Sequence, residues 1–217
     1  MKKILFSIWF IFFVLPCLAG SFNNDQKKLL ALYRQENNHG LLEASLKLQG
    51  NAVAVLTGVM KDKSFPDRNR WMATTTLAQM MGHQSLPLLK KYIDHPDWIM
   101  RMAALQAMTY LGYKEDKKVY QKALNDSSLL VRSLALDSVK KLSLRELEDD
   151  LLKMMFDQKN YQQEKAGKHR RGPLISKVIR TLGEIKSSKA QRLFTSMQSK
   201  RHFGDLRTDL DYAISRF

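Results

Sequence analysis

The sequence predicts an all-α chain, a stack of about five helix pairs with a capping helix at each end, preceded by an export segment. Three observations predict it. Apolar residues recur at i, i+4 and i+7 along 66–157; the same side chains return at one fixed interval, as in Arg70, Arg101 and Arg132; and residues 1–19 read as a secretory signal peptide.

The chain opens Met1-Lys2-Lys3, continues with an apolar run from Ile4 to Leu15 broken by Ser7, and leaves through Pro16-Cys17-Leu18-Ala19-Gly20. A positive start, an apolar stretch and a small-residue exit place cleavage after Ala19, with Gly20 the next choice. The run is shorter than the roughly 18–20 apolar residues that span a bilayer, and Pro16 ends it. A retained signal anchor is the alternative to cleavage. Cys17 resembles a lipoprotein cysteine, but Pro16 stands where that motif has Gly, Ala or Ser. The expectation is an exported chain, in the periplasm or cell envelope.

Cleavage removes the only cysteine along with Lys2 and Lys3, leaving residues 20–217 with net charge +13, two less than the +15 of the whole. An exported chain without thiols has no disulfide, no catalytic Cys and no Cys-based zinc site, so apolar burial must hold it together. The positive excess implies attraction to acidic partners, or only a solvated basic surface.

Residues 20–38 read as an N-terminal cap with a helix over Asp25–Asn37. The array then runs over 39–204, opening with a divergent pair, Gly40–Gln49 and Asn51–Lys61, in which Leu42 and Leu46 take the positions of Ala73 and Leu77. The clearest units are 66–96, 97–127 and 128–157. In their first helices Arg70, Arg101 and Arg132 align, as do Ala73, Ala104 and Ala135, then Leu77, Met108 and Val139. In their second helices Leu89, Tyr120 and Leu151 align, followed by Tyr92, Ala123 and Met154. Pro66-Asp67 and Pro96-Asp97 open first helices, Gly82 and Gly112 close them, and Ser143-Leu144-Arg145-Glu146 has capping-box spacing. A basic insertion occupies 158–172. A further unit covers 173–200, where Ile175, Ile179, Leu182 and Gly183 repeat Ala104, Met108, Leu111 and Gly112 with about nine extra residues between. Residues 205–217 form the C-terminal cap.

Asp97…Arg101-Met102-Ala103-Ala104…Leu111-Gly112 and Asp67…Arg70-Trp71-Met72-Ala73…Gly82 resemble the HEAT-like repeat family. The resemblance is good over 66–157, fair over 169–200 and weak before 66. It implies a right-handed α-solenoid whose second helices line the concave, ligand-binding side, and it implies that Arg70, Arg101 and Arg132 tie neighbouring units together. It names no ligand, since such arrays serve unrelated functions. The small Ala73, Ala104 and Ala135 permit close helix approach.

Lys91, Lys122 and Lys153 share one register on the second helices, roughly 130° from the apolar stripe at ~100° per residue. They form an expected ladder on the binding face, with Lys90, Lys117, Lys118, Lys189 and Arg192 adding charge; the plainer reading is ordinary solvated lysines. Lys165, Lys168, Arg170 and Arg171 make the 158–172 insertion basic, either as a loop reaching that face or as a simple connection. His39, His83, His95, His169 and His202 have no metal-ligand spacing, and no phosphate loop or nucleophile elbow occurs. Trp71 and Trp98 are expected to pack between units. No catalytic, cofactor or metal site is expected.

The reading is a non-catalytic scaffold that binds a protein, most readily an acidic one, along the second-helix face. The alternatives are a polyanion binder, for nucleic acid or anionic lipid head groups, and a lyase-like enzyme of the same fold, for which no residue here carries the chemistry. Export argues against a nucleic-acid target, peripheral contact with an anionic membrane is compatible, and the oligomeric state is left open.

Overall fold

The computed structural model describes residues 22–36, 39–163, 169–170 and 173–217; the signal segment lies outside the described residues, as do Lys165, Lys168 and Arg171. The described chain is an all-α solenoid. Helix α1 (Asn24–Arg34) is opened by a capping box in which Asn23 and Gln26 satisfy each other's backbone N–H. Five helix pairs follow: α2 (Leu41–Leu48) with α3 (Ala52–Lys61), α4 (Asp67–Met81) with α5 (Leu86–Tyr92), and α6 (Trp98–Tyr110) with α7 (Lys117–Leu124). The last two are α8 (Leu129–Leu142) with α9 (Glu148–Phe156), and α10 (Pro173–Glu184) with α11 (Ser188–Gln198); α12 (Arg207–Ile214) closes the stack. First helices pack in a continuous row, α4 on α6, α6 on α8, α8 on α10, and α10 on α12. One apolar core runs from Leu29 to Ala213.

Backbone conformation fixes the repeat register better than the apolar pattern does. After each first helix the chain takes a positive φ, at Gln49 (50°), Gly82 (56°), Gly112 (70°), Ser143 (54°) and Lys186 (55°). Only two of the five are the glycines that this conformation favours. Three readings of the sequence are corrected by this register. Ser143 closes α8 in the left-handed conformation and caps nothing with its side chain; Arg145–Leu147 form a 3-10 turn ahead of α9. Gly183 is not a helix exit but lies inside α10, where an added Cβ would sit 2.6 Å from the Ala213 Cα. The true exit is Lys186, and measured from Ser143 the insertion adds twelve residues rather than nine. Val178, Leu182 and Ile185 therefore take the places of Ala135, Val139 and Leu142. A three-residue slip turns a helix by only about 60°, and a wide apolar stripe tolerates that. The same degeneracy affects α2, whose buried residues are Leu41 and Ser45, while Leu46 is 48% exposed.

The repeated arginines connect units through their loops. Arg101 donates from Nε and Nη2 to the two Asp126 carboxylate oxygens at 2.7 Å, and from Nη1 to the carbonyls of His95 (2.9 Å) and Pro96 (3.0 Å). Arg132 repeats this one unit on, donating from Nη1 to the Asp126 and Ser127 carbonyls and from Nε to Asn160 Oδ1. Arg70 reaches Asp97 at 2.8 Å and Asp67 at 3.2 Å, but its buried Nε and Nη2 have no hydrogen-bond partner among the described residues. Each guanidinium thus holds the loop leading into the following unit. Ala73, Ala104 and Ala135 are fully buried beneath these contacts.

Burial pushes the Asp97 and Asp126 carboxyls up, but hydrogen bonds from Arg70 and Arg101 and the neighbouring guanidinium charges outweigh it. Both lie below the ordinary carboxylate value. Their contribution to stability is therefore complete above about pH 4 and is lost as pH falls through the lowered folded-state values. Thermal unfolding followed by circular dichroism is expected to show this loss below about pH 4, with a shallower acid dependence in Arg101→Ala.

The insertion is not a plain loop. Asp157 caps a 3-10 turn at Gln158–Asn160, and β1 (Gln162–Gln163) pairs antiparallel with β2 (His169–Arg170). Its base is fastened by the Arg132–Asn160 bond, by Asn160 Nδ2 donating to the Met154 carbonyl (2.8 Å) and by the Tyr161 hydroxyl donating to the Met155 carbonyl (2.6 Å). Arg170 is placed in β2 by its backbone alone.

Candidate functional site

The second helices α5, α7, α9 and α11 present a regular lattice of outward positions. One row is Lys91, Lys122 and Lys153, followed by Ser196 in the corrected register. The row beside it is Asp94, Asn125, Phe156 and Ser199, and another is Lys90, Gln121, Leu152 and Thr195. All three ladder lysines are exposed.

The ladder is not uniform in charge. Lys122 forms an ion pair with Asp94 at the end of the preceding second helix. Asn125 occupies the equivalent of Asp94 one unit on, so Lys153 has no such acid to meet, and it holds no ion pair among the described residues. Lys90 lies 3.9 Å from Asp116 and 4.9 Å above the Tyr113 ring. Lys189 is taken up by α9, with Asp149 at 2.7 Å and Glu148 at 3.6 Å. Lys91, Lys117, Lys118 and Arg192 hold no ion pair among the described residues. Exposed pairs of this kind add little to stability, but they determine which charges remain free for a partner.

The acidic turn of α9 stitches the stack together. Glu148 accepts from the Ser187 hydroxyl at 2.7 Å, Asp149 holds Lys189, and Asp150 accepts from Gln121 Nε2 at 2.9 Å. These are the only carboxylates within the four second helices, and each is engaged by a neighbouring unit.

Trp98, which the sequence places between units, is 37% exposed at the opening of α6. Two histidines act structurally. His83 Nε2 lies 3.0 Å from the Leu111 carbonyl, and His95 stacks on Tyr92 and accepts from the Asp97 amide. No group of three or more His, Cys, Asp or Glu among the described residues is placed to hold a metal ion. No described helix is long and apolar enough to cross a membrane. A 590 Å³ groove lies between the ends of α5 and α7, walled by Ile93, Arg101, Lys122 and Asp126, whose charged groups are already paired.

Residues 41–109 match the family model for HEAT repeats, about a third of the chain. Residues 41–109 carry HEAT-like repeats. The match covers α2 through most of α6, including the first pair, where the resemblance in single residues is weakest. HEAT repeats are generally protein-interaction scaffolds, and the family is typically non-enzymatic. No curated protein gives a significant match to the chain.

Proposed function

We propose that this HEAT-like repeat protein is an exported, non-catalytic scaffold that binds an acidic protein partner along its second-helix face. The observation that carries the reading is the charge left over there. Five cations there, Lys91, Lys117, Lys118, Lys153 and Arg192, hold no ion pair among the described residues, against three carboxylates, of which Glu148 and Asp149 share Lys189 and Asp150 accepts from the neutral Gln121 amide. A stacked face with an excess of unpaired positive charge attracts acidic groups and steers their approach. Export rests on the pattern of residues 1–19, and puts the partner in the periplasm or cell envelope.

Two measurements test the two halves of this reading. Fractionation followed by mass spectrometry is expected to find a chain that begins at Gly20 outside the cytoplasm; full-length protein in the cytoplasm would overturn export. Fluorescence anisotropy with labelled polyglutamate is expected to show saturable binding that weakens as salt rises from about 50 to about 500 mM, on the order of tenfold or more. Equal or tighter binding of a DNA oligonucleotide of matched charge would overturn the preference for a protein partner.

A further inference from the structure

We infer that the second-helix face contains a defined anchor point, formed by Phe156, Leu152 and Lys153 on α9, and that it takes an acidic polypeptide segment carrying one large apolar side chain. This rests on the proposed acidic partner and narrows it.

The row that reads Asp94 after α5 reads Asn125 after α7 and Phe156 on α9. Going along the array, an acid that neutralises the next lysine gives way to an amide that does not, and then to an aromatic ring. Three consequences meet on α9. Lys153 is left without the ion pair that Lys122 makes with Asp94. Phe156 points outward with 59% of its surface exposed. Leu152, one helical turn earlier and partly buried, continues the apolar surface toward the core. These side chains line a 530 Å³ groove completed by Asp149 and Asp157.

Both acids of the groove are already engaged. Asp149 holds Lys189 at 2.7 Å, and Asp157 caps the following 3-10 turn and pairs with Lys159 at 3.0 Å. The groove therefore offers an apolar floor and, among the described residues, one free cation. Charge complementarity selects an occupant with a carboxylate near an apolar side chain. Binding energy concentrates where an aromatic group loses contact with water at the centre of a contact, with charges at its rim contributing rate and orientation. A leucine or phenylalanine of the partner seated on Phe156 would bring a neighbouring Glu or Asp to Lys153. The remaining lysines on α5 and α7 would extend the attraction along the chain of the partner.

The test uses the mature protein and two labelled peptides of equal length and charge, one alternating Glu with Leu and one alternating Glu with Gly. The Glu/Leu peptide is expected to bind at least about tenfold more tightly. Phe156→Ala is expected to erase that difference while leaving Glu/Gly binding and its salt dependence unchanged. Lys153→Gln is expected to weaken both peptides and to flatten the salt dependence. Both side chains are exposed, so unfolding temperatures of the variants should match the parent, which is checked first; a variant that unfolds early is replaced by Phe156→Gln. Equal binding of the two peptides, with no effect of Phe156→Ala, would overturn the anchor and leave the acidic-partner reading standing. Failure of both peptides to bind at low salt would overturn the acidic-partner reading itself. Loss of phosphatidylglycerol-vesicle binding in Phe156→Ala, with no peptide binding, would reassign the groove to a lipid surface and overturn the inference.

Discussion

Replacing Arg101 by alanine is expected to lower the unfolding free energy by about 3 kcal/mol, and the melting temperature by roughly 6–12 °C for a chain of this size. The side chains of Arg101 and Asp126 are only 14% and 8% exposed, and the pair is bidentate at 2.7 Å. The substitution removes two charge-assisted bonds and two bonds to loop carbonyls, and it leaves Asp126 largely shielded from water without its partner. Removing one member of a buried pair is far costlier than the pair's net worth, because the remaining charge stays desolvated. The expected signature is partial recovery in Arg101→Ala/Asp126→Asn. The Lys28–Asp25 pair at the surface, with side chains 77% and 69% exposed, serves as the contrast: Lys28→Ala should change stability by less than about 0.5 kcal/mol. Calorimetry on these variants and the parent checks both statements. Comparable losses from Arg101→Ala and Lys28→Ala would mean that the arginine does not tie units together.

The second large effect is expected at Gly183. An alanine Cβ there would meet Ala213 at 2.6 Å from Cα and 2.9 Å from both Cβ and the carbonyl oxygen. Two of these atoms belong to the backbone of α12, so a rotamer change cannot relieve the clash. Removing glycine from a helix interior is normally favourable by about 1 kcal/mol. The clash is expected to reverse that sign, for a net loss of about 2 kcal/mol in Gly183→Ala and more in Gly183→Val. The physical event is displacement of α12, which would uncover Leu182 and Phe194 of the core. Limited proteolysis should then release a C-terminal fragment cut between α11 and α12, at a rate well above that of the parent. An unchanged or raised melting temperature in Gly183→Ala would show that α12 approaches α10 less closely than described.

Much of this fold could be read from residues alone because of what a repeat makes redundant. Three units carry the same stripe in both helices, so chance apolar residues average out; helices α4 to α9 occupy Asp67 to Phe156. The misreadings fall where a unit departs from the common length. A stripe of Ile175, Ile179 and Leu182 fits two registers nearly equally well, since a three-residue slip barely rotates the helix. The deciding feature, positive φ after the first helix, falls on Gln49, Ser143 and Lys186 as readily as on Gly82 and Gly112, so no residue type announces it. The Gly183 approach to Ala213 joins α10 to α12 across the whole of α11, and a lone helical glycine does not say what it faces.

The candidate face was legible as a row of lysines but not as a pattern of free charge. Which lysines are spent depends on diagonals between stacked helices, Lys122 to Asp94 and Lys189 to Asp149, which only the three-dimensional arrangement provides. The cue in the sequence was present nonetheless. Asp94, Asn125 and Phe156 recur at the same interval as the lysines beside them, and following that neighbouring row would have marked α9 as the place where charge compensation stops.

The most direct test of an acidic partner on the second-helix face is a pair of charge-reversed proteins measured against labelled polyglutamate at low salt. One carries Lys91→Glu, Lys118→Glu and Lys153→Glu on second helices; the other carries Lys27→Glu, Arg68→Glu and Lys141→Glu on α1, α4 and α8. Net charge changes equally in both, so long-range attraction alone predicts equal loss. The loss of affinity in the second-helix set is expected to exceed that in the other by about tenfold or more. Equal losses, or a larger loss from the α1, α4 and α8 set, would contradict an acidic partner on that face.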